Sequence, residues 1–172
     1  EWGFKGVAFD KEEDFDAGFI AEKAAEDALS RLNGIKPESG MTKVVFENKY
    51  FSDILAFLEN IASALNVQKQ KSQFAGKIGQ LVAAPVVTIT DDPLLKGGYA
   101  TTPFDGEGVP TRKKDIIAGG VLQTYLHSLK TAHKDGVDPT GNGAGRNGAV
   151  ETMNLYLQPG NISKQKLLEC VK

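Results

Sequence analysis

Few residues in this chain have side chains suited to chemistry. Its only histidines are His127 and His133, its only cysteine is Cys170, and one glycine-rich run, TGNGAGRNG, spans residues 140–148. A zinc peptidase sets two histidines on one helical face with a glutamate beside them as general base. Six residues separate His127 from His133, which is about 240° around a helix. They do not share a face, and neither has an acidic neighbour in the chain. Both are expected at polar surface or edge positions. Cys170 has no histidine near it in sequence and reads as a small helix residue rather than a nucleophile. A Ser/His/Asp triad assembles in space and stays open at this stage, although no G-x-S-x-G elbow is present.

Within the glycine run, GAGRNG (143–148) fits the dinucleotide pattern G-x-G-x-x-G. Such a loop needs a strand before it and a helix after it, because the helix N-terminus supplies amide donors and a positive dipole end to the pyrophosphate. Here KDGVDPT precedes, which is turn chemistry, and AVETMNLYLQPG follows, which ends like a strand. The flanks are wrong on both sides. The expectation is a flexible surface loop whose glycines, Gly141, Gly143, Gly145 and Gly148, let another backbone approach closely. The basic run Arg112-Lys113-Lys114 is balanced by Asp105, Glu107 and Asp115 and reads as a solvated hairpin face.

The elements that must position these residues follow from periodicity and punctuation. Trp2, Phe4, Val7 and Phe9 predict a short strand with a register shift at Gly6. Residues 14–33 predict a helix with Asp14 or Asp16 as its cap, a stripe of Phe19, Ile20, Ala24, Ala28 and Leu32, and Gly34 as the C′ residue. KVVFE (43–47) predicts a short buried strand. A second helix, capped at Ser52, carries Ile54, Leu55, Leu58, Ile61, Ala62 and Leu65 at i, i+3, i+4, i+7 spacing. Residues 81–92 are β-rich. Residues 109–126 predict an antiparallel hairpin turning at Ala118-Gly119-Gly120, which would set Arg112 and the 140–148 loop at one sheet edge. A short helix over 128–135 stops at Gly136, NLYLQPG (154–160) is a strand ending in a turn, and ISKQKLLECV is a helix capped by Ser163. Helices concentrated in the N-terminal third, with strands after them, predict an α+β fold with a largely antiparallel sheet. A seam is expected near residues 66–73.

Composition excludes several classes. With 41% hydrophobic and 24% charged residues, the chain has the make-up of an ordinary globular protein. A formal net charge of −2 argues against direct nucleic-acid binding, which calls for a basic face. No apolar run is long enough to span a membrane. A single cysteine suits a reducing compartment, and a cytoplasmic location is expected.

Several motifs taken together resemble a known family. The elements D-x-E-G-x-P-T-R (Asp105, Glu107, Gly108, Pro110, Thr111, Arg112), GVL-x-x-YL (120–126), TGNG (140–143) and NLYL-x-PG (154–160) occur in the order and at the spacing seen in the TldD/PmbA proteins, also called TldD/TldE and known as modulators of DNA gyrase. The resemblance extends back through GKIGQLVAAPVVTITDDP and covers nearly the whole chain. It implies that residues 1–172 are the central segment of a longer, PmbA/TldE-like protein.

In the zinc branch of that family a helix carries His-Glu-x-x-x-His, completed by a cysteine further on. Here the corresponding helix, SDILAFLENIASALN, sets Leu58, Glu59 and Ser63 at those positions, and residues 37–126 contain no histidine. The reading PFDGEG suits the PmbA branch. The resemblance thus implies a non-catalytic subunit with no metal or other cofactor of its own. It would pair with a TldD-like subunit, where zinc is expected, and process peptides or unfolded polypeptides. Glu59 then reads as a solvent-facing helix residue. The glycine loop would serve peptide access, mobile when partner and peptide are absent, with Asn142, Gly143, Gly145 and Arg146 nearest the substrate. Two alternatives stand beside it: a metallopeptidase whose catalytic groups lie outside this segment, and a protein-binding modulator of DNA gyrase.

Overall fold

The computed structural model describes residues 5–7, 11, 15–36, 38–145 and 147–171. The strand expected from Trp2, Phe4, Val7 and Phe9 lies, apart from Val7, outside the described residues, as do Asp14 and Arg146. The chain divides into two compact units, Glu1–Lys43 and Val44–Lys172.

The first unit contains helix α1, Ala17–Leu29. Asp16 caps it, its carboxylate accepting from the Phe19 amide at 2.8 Å. The helix stops four residues short of the expected end. Ser30 forms the C-cap, and the left-handed residue beyond it is Asn33 (φ 59°), not Gly34. Asparagine tolerates that conformation through its short polar side chain.

The second unit opens with α2, Asn48–Ala62. KVVFE is not a strand: residues 43–47 are irregular, and Val44 and Phe46 are 61% and 55% exposed. Glu47 takes the N-cap position, which makes Phe46 N′ and Phe51 N4. Their rings lie 6.5 Å apart, a hydrophobic staple that sets the entry angle of the helix. Ser52 is therefore not the cap; it lies inside the helix with its hydroxyl donating to the Lys49 carbonyl at 2.7 Å. The α2 stripe buries Leu55, Leu58 and Ala62 and leaves Ile54 exposed. The helix breaks at Ser63 (φ −59°, ψ 119°) and resumes as α3, Ala64–Gln68. Across the break, the Leu126 amide donates to the Ala62 carbonyl at 2.9 Å and the Ala64 amide to the Leu126 carbonyl at 3.0 Å.

A four-stranded sheet in the order β3-β2-β1-β4, antiparallel throughout, packs against α2. Its strands are β1 Ile89–Asp91, β2 Lys114–Ala118, β3 Val121–Leu122 and β4 Leu155–Leu157. The predicted hairpin forms β2 and β3, with shorter arms than 109–126. Its turn takes Gly119 and Gly120 at φ 54° and 79°, the positive angles that a two-residue turn of this kind requires. At Gly120 a Cβ would also lie 2.5 Å from the Ala83 carbonyl oxygen. Of the β-rich run 81–92 only Ile89–Asp91 is strand, while Leu81 makes a single bridge to Val121. The core gathers Ile89, Ile116, Ile117, Leu122 and Leu126 against Leu55, Leu58, Ala62 and Ala64.

Helix α4, Leu129–Asp135, begins with a capping box between Ser128 and Thr131 and ends at left-handed Gly136. Helix α5, Lys164–Glu169, is capped by Ser163. Both follow the sequence expectation. Among the described residues, three of the five helices precede residue 69 and all four strands follow it, so the α+β reading with an antiparallel sheet holds. No helix among the described residues is long and apolar enough to cross a membrane.

Candidate functional site

The glycine-rich run is not a flexible surface loop over its first half. Thr140, Gly141, Asn142 and Gly143 are buried, and Asn142 is fully so. The chain enters beside α4, where the His127 amide donates to the Thr140 hydroxyl at 2.8 Å and the Thr140 amide to the His127 carbonyl at 3.2 Å. It then folds back on itself. The Glu151 amide donates to the Asn142 carbonyl at 2.8 Å, Gly143 bridges Val150, and the Ala144 amide donates to the Ala149 carbonyl at 3.0 Å. Only the tip, with Gly145 and Asn147 on either side of residue 146, is exposed. A strand, β4, follows, and no helix opens on the glycines, so the dinucleotide pattern lacks its structural context.

The motif at residues 105–112 packs directly against this run. One Asp105 carboxylate oxygen accepts the amides of Glu107 and Val109, each at 2.9 Å, closing an Asx-type turn. The other accepts the Gly143 amide at 2.7 Å, and the Gly106 amide donates to the Gly143 carbonyl at 2.7 Å. Glu107 reaches the first residue of α4, accepting the Leu129 amide at 2.7 Å. A Cβ on Gly143 would strike the Glu107 carboxylate, 2.6 Å from its Cδ. At Gly141 (φ 72°) a Cβ would lie 2.7 Å from the Pro110 carbonyl oxygen and 2.9 Å from the Thr111 Cα. Thr111 is itself fixed, its hydroxyl donating to the Thr102 carbonyl at 2.6 Å. Gly108 has a positive φ of 79° and open space around it. Arg112 is exposed at the end of this segment. The loop does not share a sheet edge with Arg112, because β2 is an interior strand and the loop packs on residues 105–111 instead.

A second carboxylate holds the loop from the sheet side. Asp91, fully buried on β1, accepts the Asn142 side-chain amide at 2.7 Å, the Met153 amide at 2.9 Å and the Lys114 ammonium at 3.1 Å. The basic run is therefore not one solvated face. Arg112 and Lys113 are exposed, Lys113 pairing with Asp92 at 3.0 Å, but the Lys114 side chain is only 9% exposed. Burial lowers the Lys114 pKa below its ordinary value, against the opposite pull of Asp91.

His127 is also buried rather than superficial, whereas His133 is exposed. Burial lowers the pKa of His127 below the usual imidazole range. Its Nδ1 and the Oδ1 of Asn142 are buried polar atoms without hydrogen-bond partners among the described residues. Cys170 is exposed at the end of α5.

On α2 the three positions aligned with the zinc motif do different things. Leu58 is in the core, and Ser63 is the buried residue at the helix break. Glu59 does not face solvent freely: one carboxylate oxygen accepts the Thr152 amide at 2.7 Å and the Thr152 hydroxyl at 2.9 Å. Glu59 and Ser63, with Asn60, Asn66, Ala149 and Val150, line a cavity of about 160 Å³. Among the described residues no group of three His, Cys, Asp or Glu side chains is arranged to hold a metal ion. A larger apolar groove, about 590 Å³, runs beside edge strand β4 between Phe51 and Leu55 of α2 and Leu167 of α5.

Sequence reasoning missed Asp91 and Lys114 as parts of this assembly, and nothing in their local pattern marks them. Thr152 was missed as well. It lies three residues before the strand it precedes, and only its partner, 93 positions earlier, reveals its role.

Comparison with known proteins places these features. Residues 39–172 match the family model of the PmbA/TldA metallopeptidase C-terminal domain. The chain is 30% identical over 178 residues to the metalloprotease TldD homolog of Haemophilus influenzae, covering 100% of this chain and 36% of that protein. It is also 30% identical over 137 residues to the metalloprotease PmbA homolog of the same organism, covering 80% and 30%. Its fold is similar to the crystal structure of a modulator of a DNA gyrase from Thermotoga maritima, with a TM-score of 0.86, 42% identity, and coverage of 94% of this chain and 37% of that one. The chain spans about a third of the length of the relatives it matches.

Proposed function

Because the chain belongs to the PmbA/TldD metallopeptidase family, we propose that it acts as the zinc-less, PmbA/TldE-like subunit of a complex that cleaves peptides or unfolded polypeptides. Zinc is held by a TldD-like partner, and the complex works in the cytoplasm without contacting nucleic acid. Overall identity to the TldD and PmbA homologues of one organism is the same, 30% in each case, so the choice of branch rests on α2. The observation that carries it is the fate of the three motif positions: Leu58 buried, Ser63 at the helix break, and Glu59 occupied by Thr152. A zinc site on this helix needs imidazole ligands on both sides of the glutamate. Leu58 and Ser63 supply none, and Glu59 ties one of its oxygens to Thr152.

In this reading the glycine loop contributes to substrate access through its tip, where Gly145 and Asn147 are exposed. The Asn142 side-chain amide and the Gly143 amide are committed internally, and the Asn142 Oδ1 is buried. The experiment is elemental analysis and a cleavage assay on the full-length protein, alone and combined with a TldD-like subunit. The expected result is zinc and cleavage only in the combination. Stoichiometric zinc in the protein alone, or cleavage by it, overturns the proposal in favour of an enzyme with catalytic groups outside this segment.

A further inference from the structure

The glycine loop returns to the sheet through Glu151 and Thr152, and this return limb is tied twice. Glu151 exchanges hydrogen bonds with Asn142: its amide donates to the Asn142 carbonyl at 2.8 Å, and its carbonyl accepts the Asn142 side-chain amide at 2.9 Å. One residue later, the amide and hydroxyl of Thr152 both donate to one oxygen of Glu59. Glu59 projects from a helix whose neighbouring residues Leu58 and Ala62 are fixed in the core. Beyond Thr152, the Met153 amide donates to buried Asp91, so the limb is gripped from the helix and from the sheet at consecutive residues.

We infer that Glu59 is a positioning residue: it holds the return limb of the glycine loop against α2 and so sets where the exposed tip at Gly145 and Asn147 stands. The side chain at the motif's general-base position here acts as a clamp. Both hydrogen bonds end on a single oxygen, so the role needs an acceptor at that point rather than a negative charge. Glutamine can supply such an acceptor, and alanine cannot. The small cavity between Glu59, Ser63 and Val150 leaves the limb room to shift when the tie is cut. The effect on substrate rests on the proposed role of the loop in peptide access, whereas the clamp itself does not.

The test compares Glu59→Ala and Glu59→Gln in the full-length protein together with its partner subunit. Loss of the tie should speed amide exchange across residues 143–153 by roughly tenfold in Glu59→Ala, with α2 amides unchanged. Glu59→Gln should stay within about threefold of the unaltered protein. In the complex, Glu59→Ala should raise KM for an unfolded polypeptide about fivefold and leave kcat unchanged, with glutamine restoring KM. Unchanged exchange in Glu59→Ala overturns the inference. So does a glutamine variant as impaired as alanine. Faster exchange with unchanged KM upholds the clamp and refutes the loop's role in peptide access. If the unaltered complex cleaves nothing, the proposed function fails and the exchange measurement alone decides whether Glu59 holds the limb.

Discussion

Asp105 and Gly143 are joined by a 2.7 Å hydrogen bond from the glycine amide to the aspartate carboxylate, and both groups are buried. The bond fastens the D-x-E-G-x-P-T-R segment to the TGNG segment, so two motifs 38 positions apart form one structural unit. Within it, a Cβ on Gly143 would have to displace the Glu107 carboxylate, which accepts the Leu129 amide at 2.7 Å.

Gly143→Ala is therefore expected to destabilise the protein by about 1–3 kcal/mol, the usual range for forcing extra volume into a packed site. Glu107→Ala removes the obstacle, so the double variant should lose less than the sum of the two single losses. Urea unfolding of the four proteins of this cycle measures the coupling. Simple additivity would refute the contact.

Asp91→Ala leaves the Lys114 ammonium buried without its counter-charge. The expected loss is about 3–5 kcal/mol, as for breaking a buried ion pair from one side. Adding Lys114→Met should recover a large part of it, because the unpaired charge is gone. Chemical denaturation of the single and double variants checks both statements.

His127 predicts a dependence on pH. Burial lowers its folded-state pKa, so the unfolded chain takes up a proton more readily than the folded one. Stability is fully present above the unfolded value of about 6.5. It is lost as pH falls from there through the lowered folded value. The thermal midpoint should thus fall between about pH 7 and pH 5.5. His127→Gln should flatten that part of the curve, even if its midpoint is lower throughout.

The glycine run should bind no dinucleotide. Addition of NAD or ATP at about 1 mM is expected to leave the thermal midpoint unchanged, since a ligand that binds the folded state would raise it. The Gly143 amide is already committed to Asp105, and no helix opens on the loop to receive a pyrophosphate. A reproducible upward shift would contradict this.

Features that depend on near neighbours were legible in the sequence. The Gly119-Gly120 turn, the Ser128 and Gly136 ends of α4, the Ser163 cap of α5 and the apolar stripe of α2 each follow from residues within one or two turns of one another. KVVFE misled because a strand needs a partner strand as well as β propensity, and a competing local contact, Phe46 on Phe51, directs that segment into the helix start instead. Ser52 misled for a related reason. Its hydroxyl could cap a helix, but the helix already begins four residues earlier, at Asn48.

The sequence by itself determined the fold class, the family resemblance, and the absence of histidine from the helix that carries Glu59. Tertiary structure alone decided which polar residues act together. The glycine run looked mobile because glycine carries the largest conformational entropy. It is held because buried amides and carboxylates must find partners once water is excluded, and the partners that reach it are Asp91, Asp105, Gly106 and Glu151, with Glu59 beside them on Thr152. Local pattern carries no trace of such pairings, because desolvation is a property of the packed chain and not of any one segment.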